Sequence, residues 1–218
     1  RQIATGDAGQ APRRAGRRIL FCWFFYGFTV SSITMSNMHG SENGEILMVL
    51  RDKDIFPDTS GVTNVVWKDR LTGKVVLFNE ESKVALIGNK VNNFFLLPGG
   101  GIKHDESILD GIKRECQEET GCEIEIQNTL GITEDFRSRD CKHSISYGYS
   151  AKVISQSVPT LTESEVDIGV YVKWISLSEA VELFALQEKK VRAGEVKFYN
   201  TCFNILRDSL FLRQAQKI

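Results

Sequence analysis

The stretch Gly99-Gly-Gly-Ile-Lys-His-Asp-Glu-Ser-Ile-Leu-Asp-Gly-Ile-Lys-Arg-Glu-Cys-Gln-Glu-Glu-Thr-Gly121 sets a cluster of charged side chains behind three glycines. Glu115, Glu118 and Glu119 are spaced i, i+3 and i+4, which on a helix brings three like charges within reach of one point. Without a counter-charge they repel. A hard divalent ion, Mg2+ or Mn2+, prefers oxygen ligands, keeps some of its waters and leaves positions for phosphate oxygens. Arg114, at i−4 to Glu118, is placed to pair with or orient a carboxylate. The glycines bring bare backbone close to the same place, and a nearby helix N-terminus favours anions. A metal–carboxylate cluster beside a glycine turn is what phosphoryl chemistry needs, because charge developing on phosphate must be offset while a water is activated.

These residues act together only if a helix carries them. Asp105 or Ser107 can cap its start, Glu106 places an acid in the first turn, and Gly121 supplies a left-handed stop, which predicts a helix over about residues 106–120. With Glu106 at 0° and about 100° per residue, Ile108, Leu109, Ile112 and Cys116 fall between about 200° and 300°, the stripe expected to be buried. Glu119 falls inside that stripe, Glu115 on its margin and Glu118 at about 120°, with Lys113, Gln117 and Asp110 on the far side. A carboxylate facing a core costs several kcal/mol unless it is paired or binds a metal, so Glu119 asks for a cation.

Around this helix the chain alternates short β-rich runs with helical stretches. Strands are expected at Ile46–Leu50, Lys74–Phe78, Val84–Gly88 and Phe94–Leu97, with a hairpin turn at Asn79-Glu-Glu-Ser82. Further strands are expected at Glu123–Ile126, Gly131–Phe136, Ser144–Ile154 and Val170–Ile175. Ser176 or Ser178 can cap a second helix, with Glu179 favouring its positive end, and Lys197–Leu212 reads as a terminal helix. Strands on both sides of a helix, some joined by hairpins, predict an α/β fold with a mixed sheet packed by helices.

The charged stretch resembles the box of the Nudix hydrolase family, G-x5-E-x7-R-E-U-x-E-E-x-G-U with U a bulky aliphatic. Gly100, Glu106, Arg114, Glu115, Glu118, Glu119 and Gly121 fill all seven fixed positions, while both U positions are cysteines, Cys116 and Cys122. Fainter likeness runs through Leu96–Gly100 and Lys173–Ala180 and extends the expected domain over residues 45–218. The resemblance implies an α/β/α sandwich around a mixed sheet and hydrolysis of a nucleoside diphosphate linked to another group, a small-molecule substrate. It implies metal ligation by Glu115, Glu118, Glu119 and the Gly100 carbonyl. Catalytic roles fall by the same resemblance to Glu115 and Glu118, with Arg114 orienting one of them and Glu106 pairing with Arg114.

The general base varies within that family, so a helix glutamate or a later acid is expected. The later candidates are Glu134, Asp135, Glu163 and Glu165. For substrate contact, Phe136, Arg137 and Arg139 can stack a base and meet phosphate, as can Trp67, His143 and Tyr147. Position 137 is Arg where ADP-ribose hydrolases carry Pro, and no SQPWPxS-like string of NADH hydrolases is present, so the substrate stays open. Two alternatives stand beside small-nucleotide hydrolysis: removal of pyrophosphate from the 5′ end of RNA, and a non-catalytic nucleotide-sensing module.

The 218 residues carry 27 Lys plus Arg against 28 Asp plus Glu, 42% hydrophobic residues and 25% charged ones, an ordinary globular composition. Net charge is split: residues 1–34 carry five arginines and one acid, and the remainder is acidic at −5. An acidic body counts against a nucleic-acid surface, which depends on clustered Lys and Arg. Residues 1–34 join the basic cluster Arg13–Arg18 to the apolar run Ile19–Val30, shorter than the ~20 residues a spanning helix needs. Three readings compete for this leader: a secretory signal or anchor, a terminal helix docked on the body, and a segment foreign to the native protein, with Met35 and Met38 as alternative starts. The last is favoured, residues 35–44 reading as a linker, and a membrane partner follows only if residues 13–30 are a native anchor. Five widely spaced cysteines with no C-x-x-C pair point to free thiols in a reducing, cytoplasmic setting. Composition leaves oligomeric state open.

Overall fold

The apolar run Val75-Val-Leu77 is buried on both sides, and its alternation divides the molecule into layers: Val75 and Leu77 face one helix, Val76 faces two others. The computed structural model describes residues 44–57 and 64–218. Its elements are β1 (Ile46–Arg51), α1 (Asp52–Ile55), β2 (Lys68–Phe78), β3 (Lys83–Asn89), β4 (Phe95–Leu96), α2 (Ile108–Thr120), β5 (Cys122–Arg137), β6 (Lys142–Gln156), α3 (Glu163–Asp167), β7 (Val170–Ser176), α4 (Leu177–Arg192) and α5 (Tyr199–Ala215). The expectations for the leader, residues 1–34, lie outside the described residues. Among the described residues no helix is long and apolar enough to cross a membrane.

The strands form one mixed seven-stranded sheet in the order β1-β5-β6-β2-β3-β4, with β7 on β3. β2 runs parallel to β6 from Lys68 opposite Lys142 to Phe78 opposite Lys152, and β6 runs antiparallel to β5. The Asn79–Ser82 hairpin holds as expected, with Phe78 opposite Val84 and Asn79 Oδ1 accepting the Lys83 N–H at 2.9 Å. On one face α2 covers Val75, Leu77, Ala85, Ile124, Tyr149 and Ala151 with Ile108, Ile112 and Cys116. On the other, α4 and α5 supply Phe184, Phe203, Ile205, Phe211 and Leu212 against Val76, Val84 and Leu86. This is the expected α/β/α sandwich.

Several expectations are corrected in detail. The two strands expected at 123–126 and 131–136 are one strand, β5, because polar Gln127-Asn128-Thr129 is absorbed by register shifts against β6 without leaving the ladder. β4 is reduced to two residues, closed by Pro98. α2 begins at Ile108, two residues later than expected, since Ser107 takes the cap: its Oγ accepts the Asp110 N–H at 3.1 Å. Leu109 is 40% exposed and does not join the buried stripe. The helix instead leans on its Gly111–Ile112 side, where Ile112 presses so closely on Gly73 of β2 that a Cβ there would lie 2.2 Å from Ile112 Cγ1. The short helices α1 and α3 were not expected from the sequence. The helix stop at Gly121 (φ 71°) and the Ser176–Glu179 capping box of α4 are as expected.

The two helices on the α5 side also hold the segment that leads into the glycines. Gln187 of α4 accepts the Phe95 N–H at 2.7 Å and donates to the Phe95 carbonyl at 3.0 Å, which stands in for a strand partner. Asp208 of α5 accepts the Leu97 N–H at 2.9 Å. Cys116, Cys122 and Cys202 are buried free thiols and Cys141 is exposed.

The Gly73–Ile112 contact supplies a test of the layer packing. Gly73→Ala should lower unfolding stability by about 1–3 kcal/mol, as overpacking does, read from a urea melt monitored by circular dichroism. An unchanged midpoint would contradict the close approach of α2 to β2.

Candidate active site

Arg114 projects from the middle of α2 into a shell of oxygens, and every N–H of its guanidinium is used. Nε and Nη2 grip Glu106 in a bidentate pair at 3.0 and 2.7 Å, Nη1 reaches Glu115 at 2.8 Å and Glu118 at 3.0 Å, and Nη2 also donates to the Gly101 carbonyl at 3.0 Å. Five donors meet five acceptors in the fixed fork that only arginine presents. The chain folds this way locally because Glu106 sits in the turn before α2, where its Oε1 also accepts the Lys103 N–H at 2.7 Å. The Arg114 guanidinium holds the Glu106 carboxyl down at about 2. The like charges of Glu115 and Glu118 are therefore offset first by Arg114.

Glu119 has a different environment. Its Oε2 accepts the Gly99 N–H at 2.8 Å, and loss of water around the carboxylate pushes its pKa up to about 7, against the opposing pull of Lys74 and the Gly99 amide. Glu165 of α3 adds to that rise, so its charge reaches Glu119. Lys74 is buried, donating to the Leu97 carbonyl at 2.9 Å and to the Gly99 carbonyl, and burial pushes its own pKa down. The glycine turn is thus pinned from beneath by a lysine and from the side by a glutamate. Gly99 has φ 112°, a backbone that other residues rarely adopt, and a Cβ on Gly100 would lie 2.3 Å from Glu115 Oε2. The Gly100 carbonyl accepts the Gly73 N–H at 3.0 Å, tying the turn to β2.

Glu106, Arg114, Glu115, Glu118, Glu119 and Gly100 are therefore brought together at one place. The donors offered there are carboxylate and carbonyl oxygens, hard ligands of the kind Mg2+ and Mn2+ take. Among the described residues no three His, Cys, Asp or Glu side chains already converge as a metal cage. Glu115 and Glu118 are turned to Arg114, and Glu119 to Gly99, so a cation would draw them inward from these partners.

The remaining candidates scatter. Phe136 and Arg137 are consecutive in β5 and point to opposite faces of the sheet, so with Arg139 they do not form one binding surface. Phe136 stacks on His143 (centroids 4.3 Å apart), meets Trp67 edge-on and lies under the Arg51 guanidinium. Arg137 is 5% exposed, paired with Asp135 and bonded to Asn200 and Asn204 of α5. Arg139 lies over the Phe56 and Tyr199 rings at the sheet's end. Among the expected bases, Asp135 is sealed by Arg137, Glu134 lies 3.6 Å from His143 Nε2, and Glu165 caps α3 by accepting the Thr162 N–H at 2.8 Å. Glu163 is exposed on α3.

Sequence reasoning missed Lys74, Arg207 and Asp208. Arg207 and Asp208 are buried within α5, Arg207 Nε donating to Asp208 Oδ1 at 2.7 Å. The signal was present: Arg207 sits four residues from both Phe203 and Phe211, a charge on the apolar stripe of the helix.

Residues 68–201 match the NUDIX domain family model. The chain is 36% identical over 106 residues to the chloroplastic Nudix hydrolase 21 of Arabidopsis thaliana, covering 47% of this chain and 50% of that protein. It thus spans about half the length of that curated relative. Among solved structures, it is similar to a NUDIX hydrolase from Nitrosomonas europaea (21% identity, TM-score 0.45, 54% of this chain and 79% of that one). It is also similar to a MutT protein from Methanosarcina mazei Go1 (18% identity, TM-score 0.46, 69% of this chain and 96% of that one). Membership rests on the family match, which takes in the complete box from Gly100 to Gly121 and more than half of the residues: the chain belongs to the Nudix family.

Proposed function

We infer that the protein hydrolyses a phosphoric anhydride, a nucleoside diphosphate linked to a further group, by attack of water at phosphorus with a divalent cation, Mg2+ or Mn2+, as cofactor. The observation that carries this reading is the Arg114-centred carboxylate cluster set against the Gly99–Gly101 turn. The donor set fits such a cation: it is all oxygen, and Glu119 is held where its charge is poorly compensated. Glu115, Glu118, Glu119 and the Gly100 carbonyl would hold the ion, which supplies charge neutralisation at the anhydride and a more acidic bound water.

The protein's own residues supply the positioning. Arg114 fixes Glu115 and Glu118 in one plane of reach, and Glu106 grips the guanidinium from behind so that it cannot swing away. Glu118 is the most open of the cluster at 44% side-chain exposure, against 18% for Glu115. Its Oε2 is bonded to Arg114 and its Oε1 has no hydrogen-bond partner among the described residues. That oxygen is the one best placed to take the proton of an attacking water. The alternatives Glu134, Glu163 and Glu165 are each engaged or set apart on other elements.

With purified protein and Mg2+, a panel of nucleoside triphosphates and nucleoside diphosphate derivatives should include at least one from which phosphate, pyrophosphate or a nucleotide is released. Glu118→Gln should lower kcat on that substrate by about 100-fold or more while leaving the melting temperature unchanged. Parity of the variant with the parent would overturn the assignment of Glu118, and silence across the panel would overturn the small-nucleotide reading.

A second expectation follows from Glu119. Its folded-state pKa, about 7, lies above the ordinary carboxylate value of 4.5, so the native protein binds the proton more tightly than the unfolded chain does. Stability therefore falls as pH rises from about 4.5 to about 7 in metal-free protein. Glu119→Gln keeps an acceptor for the Gly99 N–H and carries no charge. Its melting temperature at pH 8 without divalent ions should equal or exceed the parent's, and Mg2+ should raise the parent's but not the variant's. A variant that melts lower at pH 8 yet still responds to Mg2+ would contradict the role given to Glu119.

A further inference from the structure

On the α5 face of the sheet, behind the glycine turn, lies a cavity of about 280 Å³ whose wall is cationic. The sheet register builds its floor in rows. Arg70 of β2 pairs with Ser144 of β6, Thr72 with Ser146 and Lys74 with Gly148, while Arg137 of β5 pairs with Lys142. Paired residues share a face, so Arg70, Thr72 and Lys74 stand beside Lys142, Ser144 and Arg137. Asn200, Asn204 and Arg207 of α5 close it from above, and Gly99 and Gly100 form its lip. Five cations line it, with no carboxylate and no aromatic ring.

Some of that charge is spent elsewhere. Arg137 is paired with Asp135, and Arg207 with Asp208 through Nε alone. What remains is unspent. Arg207 is 3% exposed, and its buried Nη2 has no hydrogen-bond partner, a charged donor kept from both water and protein. Arg70 and Lys142 have no ion-pair partner among the described residues. The neighbouring hydroxyls of Thr133 and Ser146, paired across β5 and β6 on the same face, are buried without partners too. A guanidinium donor left idle in the interior is costly unless an anion meets it. A wall of cations and polar groups without a ring offers nothing for a nucleobase to stack on.

We propose that this cavity binds a phosphate group of the substrate other than the anhydride being split: the preferred substrate is an anhydride whose remaining part carries at least one further phosphate ester. Arg70 and Lys142 hold that phosphate, and Arg207, whose Nη2 is buried, adds its positive charge to the wall. The Gly99–Gly100 lip, which borders both the cavity and Glu115, joins the two halves of the site, so the anhydride lies over the glycines and the extra phosphate behind them. The substrate half of this inference rests on the hydrolase reading given above; the anion site does not.

Two measurements separate them. The first is isothermal titration of metal-free protein with inorganic tripolyphosphate. The parent should bind, and Arg70→Gln combined with Lys142→Gln should weaken binding at least tenfold, both positions being accessible enough that the fold survives, as circular dichroism would verify. Binding that is absent in the parent, or equal in parent and double variant, overturns the anion site. The second compares kcat/KM with Mg2+ on two matched pairs, coenzyme A against dephospho-coenzyme A and NADPH against NADH. Preference of at least tenfold for the phosphorylated member of either pair, reduced in the double variant, supports the substrate assignment. Equal rates on both members overturn it while leaving hydrolysis intact. Tripolyphosphate binding that depends on Arg70 and Lys142 without turnover of any pair supports the anion site and counts against the hydrolase reading alone.

Discussion

The carboxylate site depends on one guanidinium. Arg114 spends all five of its donors on Glu106, Glu115, Glu118 and the Gly101 carbonyl, and through them it fastens the turn before α2, the helix itself and the glycine loop to one another. The arrangement is over-determined in geometry and under-determined in charge. One cation faces three carboxylates directly, and a fourth, Glu119, leans on a backbone amide and a lysine whose own charge is weakened by burial. Four carboxylates thus face two cationic side chains, Arg114 and Lys74, which leaves an excess of negative charge at the glycine turn.

The fold serves that constraint by holding the glycine turn from every side. Gln187 and Asp208 hold the segment leading into it from the α4–α5 layer, and Lys74 from the floor of the sheet and Glu119 from the α2 layer hold the turn itself. Each of these bonds is to backbone, so the loop is set by hydrogen bonds that no change of its own side chains would remove. The close approach at Gly73 and Gly100 places bare peptide against α2, where a side chain would collide with Ile112 at the first position and with Glu115 at the second. Positioning, more than any single residue's reactivity, is what the architecture provides.

Much of this was legible in the sequence where the determinants are local. The spacing of Glu106, Arg114, Glu115, Glu118 and Glu119, the stop at Gly121, the Ser176 cap and the Asn79–Ser82 hairpin each depend on one short continuous segment of chain, and all are found. The wheel also placed Glu119 inward, and inward it is, but its companion there is the Gly99 amide with Lys74 close by, contributed from elsewhere in the chain. Leu109 illustrates the limit of a wheel: which edge of an apolar stripe is buried depends on how closely the partner strand allows approach, here at Gly73. The grouping of Phe136 with Arg137 failed against strand alternation, a rule the sequence itself supplies. The cationic cavity was not readable, because its wall is assembled by the register of β2, β5 and β6 and capped by α5, which lies far along the chain from all three.

The central claim, that the five-donor fork of Arg114 organises the site, is tested most directly by Arg114→Lys. A lysine keeps the charge but offers three donors from one point, too few and too short to serve Glu106, Glu115, Glu118 and Gly101 together. With Mg2+ and a substrate the parent turns over, kcat should fall by about 10- to 100-fold, with the melting temperature within a few degrees of the parent's. Turnover at the parent's rate in a folded Arg114→Lys protein would contradict the account.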